Sequence, residues 1–233
     1  MKLKSASLTD IGRVRGNNQD SYVCDDKLGV YAVADGLGGH VGGEVASGMA
    51  ADILSNAFRF KQHAVDPGLS LKKVIQQANS KIYEKAHQTP SLMGMGTTLT
   101  MLYFADDTLY VGHVGDSRAY LIREGMIWQL SQDHSLASYQ LVSGMTTPLK
   151  NVVTRSVGFD QEVEVDVYTK KVSQGDTYLL CSDGLHGFVK DEEIAWVISR
   201  NTLNSAVKNL IILANERGGE DNITVVLTHV DQL

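Results

Sequence analysis

Aspartates that close strand-like or glycine-rich runs, each followed by a small residue, recur along this chain. They are Asp35-Gly36 after Val30-Tyr31-Ala32-Val33-Ala34, Asp116-Ser117 after 111–115, Asp183-Gly184 after 178–182, and Asp221-Asn222 after Gly218-Gly219-Glu220. A further acid, Asp20, closes Arg15-Gly16-Asn17-Asn18-Gln19-Asp20. One such acid is an ordinary turn former. Several that a sheet delivers to one rim would repel each other and shift each other's pKa unless cations shared them. Oxygen donors without Cys or His favour hard cations, Mg²⁺ or Mn²⁺, over zinc. A carboxylate bridging two such ions about 4 Å apart can position a water, lower its pKa and stabilise in-line displacement at phosphorus. Arg15 offers a planar, bidentate fork for a phosphate. Its bland alternative is a surface salt bridge.

Competing chemistries fail on inspection. Neither Cys24 nor Cys181 has an arginine six positions on, and H-E-x-x-H and G-x-S-x-G are absent. The glycines after Asp35 allow close approach of the backbone to an ion or phosphate. They miss the G-x-G-x-x-G fingerprint because Val41 stands where the third glycine is needed, and no Walker lysine follows. Metal-assisted hydrolysis remains.

The elements that must position these acids are legible in outline. The 233 residues carry 43% hydrophobic and 21% charged side chains and a net charge of −6. That composition suits a globular core and argues against nucleic acid or an anionic membrane as partner. The two cysteines are read as free thiols of a reducing cytosol. Met1 to Ser5 lead into no signal-peptide core, and no window reaches the roughly 20 apolar residues of a membrane helix. A soluble, cytoplasmic protein is expected. With only three prolines and no linker, 1–233 is read as a single domain. Residues 1–34 read as two or three strands. Helical spacing over 42–60 and 69–87, split by Pro67-Gly68, predicts an antiparallel helix pair. Strands are predicted at 97–104, 108–114, 118–122, 127–130, 162–169, 177–181 and 222–230. Helices are predicted at 135–142, 191–199 and 203–216, with 146–158 irregular.

The ordered set Arg15-x-x-Asn18-Gln19-Asp20, Asp35-Gly36-Leu37-Gly38-Gly39-His40, Gly96-Thr97-Thr98, Val114-Gly115-Asp116-Ser117-Arg118-Ala119-Tyr120, Ser182-Asp183-Gly184 and Gly219-Glu220-Asp221-Asn222 resembles the metal-dependent type-2C Ser/Thr protein phosphatases. The short bacterial members are the nearest in look, and the match runs from about residue 8 to 230. The resemblance implies an α+β fold, a four-layer α-β-β-α sandwich of two mainly antiparallel sheets flanked by helix pairs. It implies two core Mg²⁺ or Mn²⁺ ions held by Asp35 as bridging ligand, the Gly36 carbonyl, Asp183 and Asp221. Asp116, with Asp183, matches the ligand of a third, weaker ion. Asp20 matches an acid that orders metal-bound water, Arg15 the phosphate-binding arginine, and Asn222 a residue orienting the ligands. The implied reaction is direct attack of metal-activated hydroxide on phosphoserine or phosphothreonine. The implied partners are phosphorylated Ser/Thr proteins and a cognate Ser/Thr kinase of the same cell, with no nucleic acid, no membrane and a monomeric chain.

Two features depart from the family pattern. Leu37 stands where some members carry a histidine, so leaving-group protonation falls to His40 or to water. The segment between Asp133-His134-Ser135 and Asn151 is several residues shorter than the common bacterial form, which bears on substrate choice. Histidines 63, 87, 113, 134, 186 and 229 are read as structural or surface, and Met93, Met95 and Met101 as core. A non-catalytic phosphoprotein-binding module would lack a metal acid, and none is missing at Asp35, Asp183 or Asp221. A hydrolase of small phosphoesters on the same scaffold stays open.

Overall fold

Antiparallel pairing organises the chain into two stacked sheets. The computed structural model describes residues 1–37, 39–59, 66–136 and 152–233, with the backbone alone for 39–41. One sheet has the order β1 (Lys2–Asp10), β11 (Ile223–Gln232), β10 (Thr177–Cys181), β7 (Arg118–Arg123), β8 (Met126–Gln129). The other has the order β2 (Asp20–Asp25), β3 (Val30–Leu37), β5 (Leu99–Ala105), β6 (Thr108–Val114), β9 (Asp166–Lys171), with β4 (Gly96–Thr97) also paired to β3. Helices α1 (Gly39–Arg59) and α2 (Pro67–Gln88) cover the second sheet. A short α3 (Asp183–His186) follows β10, and α4 (Asp191–Arg200) and α5 (Leu203–Glu216) cover the first sheet. The α-β-β-α layering expected from the sequence is what forms.

Strand alternation explains the layers, because successive side chains point to opposite faces. In β10, Tyr178 and Leu180 enter the core between the sheets, whereas Leu179 and Cys181 pack under α4 and α5. In β3, Tyr31 and Val33 face the other sheet, whereas Val30, Ala32 and Ala34 face α1 and α2. With both faces covered, these strands must be apolar throughout. Tyr31, Phe104 and Tyr178 join the sheets edge to face, with centroids 5.8 and 5.4 Å apart. The buried hydroxyls donate to Asp26 and Asp176, both at bond lengths below 3 Å (2.7 and 2.9 Å). The helices start where local chemistry allows. Pro67 opens α2 behind Asp66, whose side chain accepts the Leu69 N–H, and Thr202 caps α5 through the Ser205 N–H.

Some boundaries differ from the sequence reading. The predicted strand 97–104 is broken at Thr98, whose amide donates to the Asp35 carbonyl and whose hydroxyl accepts the Asp35 N–H. The predicted strand 162–169 forms later, at Asp166–Lys171, because the preceding carbonyls of Asp160 and Gln161 are tied to Asn79 on α2. The turn after β10 is helical and was not foreseen. Beyond Leu136, the predicted helix 135–142 lies outside the described residues, as do 60–65 and most of the short segment before Asn151. Both cysteines are free, with Cys181 buried and Cys24 half-buried.

Candidate active site

Antiparallel register gathers the acids at one rim. Asp20 stands directly opposite Asp35 across β2 and β3. Asp10 pairs with Ile223, and Cys181 pairs with both Val225 and Arg118. The C-terminal ends of β1, β3, β6 and β10 therefore meet the N-terminal ends of β2, β7 and β11. There they open a cleft of about 860 Å³ lined by Arg15, Asp35, Gly36, Asp116, Asp183 and Asp221, among others.

Asp35 is fixed through its backbone. Its carbonyl accepts from the Thr97 hydroxyl at 2.9 Å and the Thr98 N–H at 2.8 Å. Thr98 Oγ1, which accepts the Asp35 N–H, also shares a hydrogen bond with Ser117 Oγ at 2.7 Å, which ties Asp35 to the loop of Asp116. Burial, and then the neighbouring Asp20, Asp183, Asp116 and Asp221, raise the Asp35 carboxyl well above its ordinary range. Gly36 donates its N–H to the Gln19 carbonyl, and a Cβ there would overlap the backbone of Gly43, so the turn admits only glycine.

Asp20 is buried beside Asp35, behind the cleft lining. Its Oδ2 accepts from Ser182 Oγ and Thr224 Oγ1, both at 2.7 Å, while Oδ1 is buried with no hydrogen-bond partner. Burial, opposed by those two hydroxyls, pushes its pKa up to about 7. Asp183 opens α3, where its Oδ1 is likewise buried and unpartnered. Burial and the charge of Asp221 raise it to about 6, against a hydrogen bond to Asp35 and the pull of Arg15. Burial, then Asp183 and Asp133, push Asp116 up to about 7.

Arg15 donates from Nη2 to Asp221 Oδ2 at 2.6 Å, and half of its side chain is exposed. The salt-bridge reading and the cleft-lining reading thus both apply. Asn222 touches backbone: its Oδ1 accepts the Gln19 N–H, and its Nδ2 donates to the carbonyls of Ile11 and Asn17. It anchors the loop that carries Arg15. Ser182 and Thr224 had no assigned role from sequence. Nothing local marks a hydroxyl as the partner of a carboxylate 162 or 204 residues away.

Among the described residues no three His, Cys, Asp or Glu side chains converge tightly enough to enclose one cation. Of the acids, Asp221 is ion-paired, with Arg15. The donor set still suits hard cations. It is all oxygen, burial and crowding raise Asp20, Asp35, Asp116 and Asp183, and two buried carboxylate oxygens have no partner. The side chain of His40 lies outside the described residues.

The model of the protein phosphatase 2C family matches residues 13–222. The chain belongs to that family. Protein phosphatase 2C enzymes of this group are metal-dependent serine/threonine protein phosphatases. The chain is similar to serine/threonine phosphatase stp of Listeria innocua, 40% identical over 94% of this chain and 92% of the relative. It superposes on the crystal structure of the Mycobacterium tuberculosis serine/threonine phosphatase PstP/Ppp with a TM-score of 0.93 at 35% identity, over 100% of both chains. A PstP catalytic domain solved in complex with 2 manganese ions matches with a TM-score of 0.91 at 36% identity, over 99% of both chains. No helix among the described residues is long and apolar enough to cross a membrane.

One packing contact at this protein phosphatase 2C site yields a direct test. A Cβ on Gly184 would overlap the Asn222 carbonyl oxygen. Gly184→Ala must therefore push α3, and Asp183 with it, away from the β11 end. An overpacking cost of about 1–3 kcal/mol is expected in a urea titration, with weaker Mn²⁺ binding by calorimetry. An unchanged midpoint and unchanged binding would show that the rim yields to the added methyl without cost.

Proposed function

We propose that residues 1–233 act as a single catalytic domain that hydrolyses phosphoserine and phosphothreonine in proteins. In this reading Asp35, Gly36, Asp183 and Asp221 hold two Mg²⁺ or Mn²⁺ ions, and Asp116 with Asp183 holds a third, weaker one. The observation that carries the reading is the crowding of Asp35, Asp116 and Asp183 with Asp20 beneath, each carboxyl raised by burial and by its neighbours. Such a cluster is stable in ionised form only when positive charge is supplied. When bound, the ions supply Lewis acidity toward the phosphoryl group and toward water.

The chain's own groups do the rest. Arg15, on an exposed stem, swings from Asp221 to grip the phosphate through its fork. Asp20 has one oxygen saturated by two hydroxyls, which leaves Oδ1 as the hydrogen-bond acceptor that would order a water at the site. Thr97, Thr98 and Ser117 hold the Asp35 and Asp116 backbones at a set spacing. The relatives' names support a protein substrate, and the reading includes a monomer in the cytoplasm that opposes a Ser/Thr kinase.

The deciding assay is Mn²⁺-dependent phosphate release from phosphothreonine peptides, compared with free nucleotides. Peptide turnover is expected. No turnover on either would overturn the proposal in favour of a binding module, and turnover of nucleotides alone would point to a small-phosphoester hydrolase. Arg15→Ala should lower kcat/KM on peptides about 10- to 100-fold, as loss of charge-assisted hydrogen bonds worth about 1.5–3 kcal/mol requires, with KM rising more than kcat falls. An unchanged KM would remove Arg15 from phosphate binding.

A further inference from the structure

His134 lies just beyond the cleft, buried, at the point where two backbone segments meet. Its own N–H donates to the Gly115 carbonyl at 2.7 Å, and its ring Nδ1 accepts the Gly115 N–H at 3.1 Å. An amide N–H can only donate, so Nδ1 carries no proton and the neutral ring's proton sits on Nε2. Nε2 lies 3.3 Å from Asp166 Oδ2, to which it donates, and 3.2 Å from Arg155 Nη1, which as another donor is a close neighbour and not its hydrogen-bond partner. The other oxygen, Oδ1, accepts from Arg155 Nη1 at 2.8 Å, and Tyr168 OH donates to Oδ2 at 2.9 Å. The Gly115 N–H sets the tautomer, and contacts on both sides hold the ring's orientation.

Gly115 is the residue before Asp116. Its φ of +110° and the closeness of Thr98 leave no room for a Cβ, so side-chain packing cannot steady this turn. The clamp from His134 supplies what a side chain would. On the far side, His186 Nε2 donates to the Asp116 carbonyl at 3.0 Å. The same strap reaches Asp35. The Thr154 N–H donates to the His134 carbonyl, and Val157 exchanges both backbone hydrogen bonds with Thr97, whose hydroxyl holds the Asp35 carbonyl.

We propose that His134 is a positioning residue for Asp116: its ring, locked between the Gly115 amide and the Asp166 carboxylate, fixes the backbone that presents Asp116 to the cleft. Through residues 152–158 it also sets the spacing between Asp116 and Asp35. The proposal rests on the reading of Asp116 as a cation ligand, and its test separates the two.

Mn²⁺ is titrated by calorimetry into the full chain and into Asp116→Asn, His134→Ala and His134→Asn. Asp116→Asn is expected to abolish the weakest binding phase; if that phase persists, the ligand reading fails and the proposal falls with it. Given that loss, His134→Ala should weaken the same phase about 10- to 100-fold and leave the tighter one in place, the range seen when partners of metal ligands are removed. His134→Asn, whose Oδ1 stands where Nδ1 stood and still accepts from Gly115, should recover most of the affinity. A merely structural role would lower the melting temperature without separating the phases or distinguishing Asn from Ala. A weak phase unchanged in His134→Ala, or shifted alike in both variants, overturns the proposal. Should His134→Ala not fold, Asp166→Ala removes the ring's outer anchor and must weaken the same phase; an unchanged phase there counts equally against it.

Discussion

Asp183→Asn folds and loses turnover. Asparagine preserves the volume at the start of α3, and its amide can donate to the neighbouring Asp35. Neutralising one member of a crowded acid set relieves repulsion, so the melting temperature of the cation-free variant should match or exceed that of the parent. Activity should move the other way. An amide is a poorer donor to a hard cation than a carboxylate, and Lewis-acid stabilisation worth several kcal/mol amounts to a loss of about 10³-fold or more. Circular dichroism and Mn²⁺-dependent hydrolysis of a phosphothreonine peptide measure the two halves. A folded variant with near-parent rates would remove Asp183 from the ligand set.

The second large effect is a pH-dependent stabilisation by divalent cations. Asp20 and Asp116 stand at about 7 and Asp183 at about 6, above the ordinary value of 3.8. A carboxyl whose folded pKa is raised contributes stability that is present below its unfolded pKa and lost as pH climbs through the folded value. These acids therefore destabilise the cation-free fold as pH rises toward 6–7. The buried His113 and His186, each lowered to about 4 from 6.5 by burial, act oppositely: their share is full above 6.5 and lost as pH falls toward 4. Below 6.5 the two effects oppose each other; above it only the acids still titrate. In EDTA the melting temperature should fall between pH 6.5 and 8. Mn²⁺ competes with protons for the same oxygens, so its stabilisation should be larger at pH 8 than at pH 5.5. At 100 times the dissociation constant, about 2.7 kcal/mol corresponds to roughly 5–10 °C for a domain of this size. Equal shifts at both pH values would mean that the cations bind elsewhere.

Sequence alone determined the chemical class. Hard oxygen donors at the ends of apolar runs, in no Cys/His zinc-ligand pattern, are a local property of residue order. So were the helix pairs and most strands, because burial on one or two faces imposes periods of 3.6 or 2 on the chain itself. Tertiary structure decided everything that depends on which distant groups share a point. The break at Thr98 serves a hydrogen bond to Asp35, the hydroxyls of Ser182 and Thr224 saturate one oxygen of Asp20, and Asn222 anchors the Arg15 loop through its side chain while its N–H donates to Asp221. His134 belongs to the same class, reading as one more structural histidine until its ring is seen against Gly115. A hydrogen bond needs two groups within about 3 Å, and chain order carries no such distance for residues joined only through the register of separate strands.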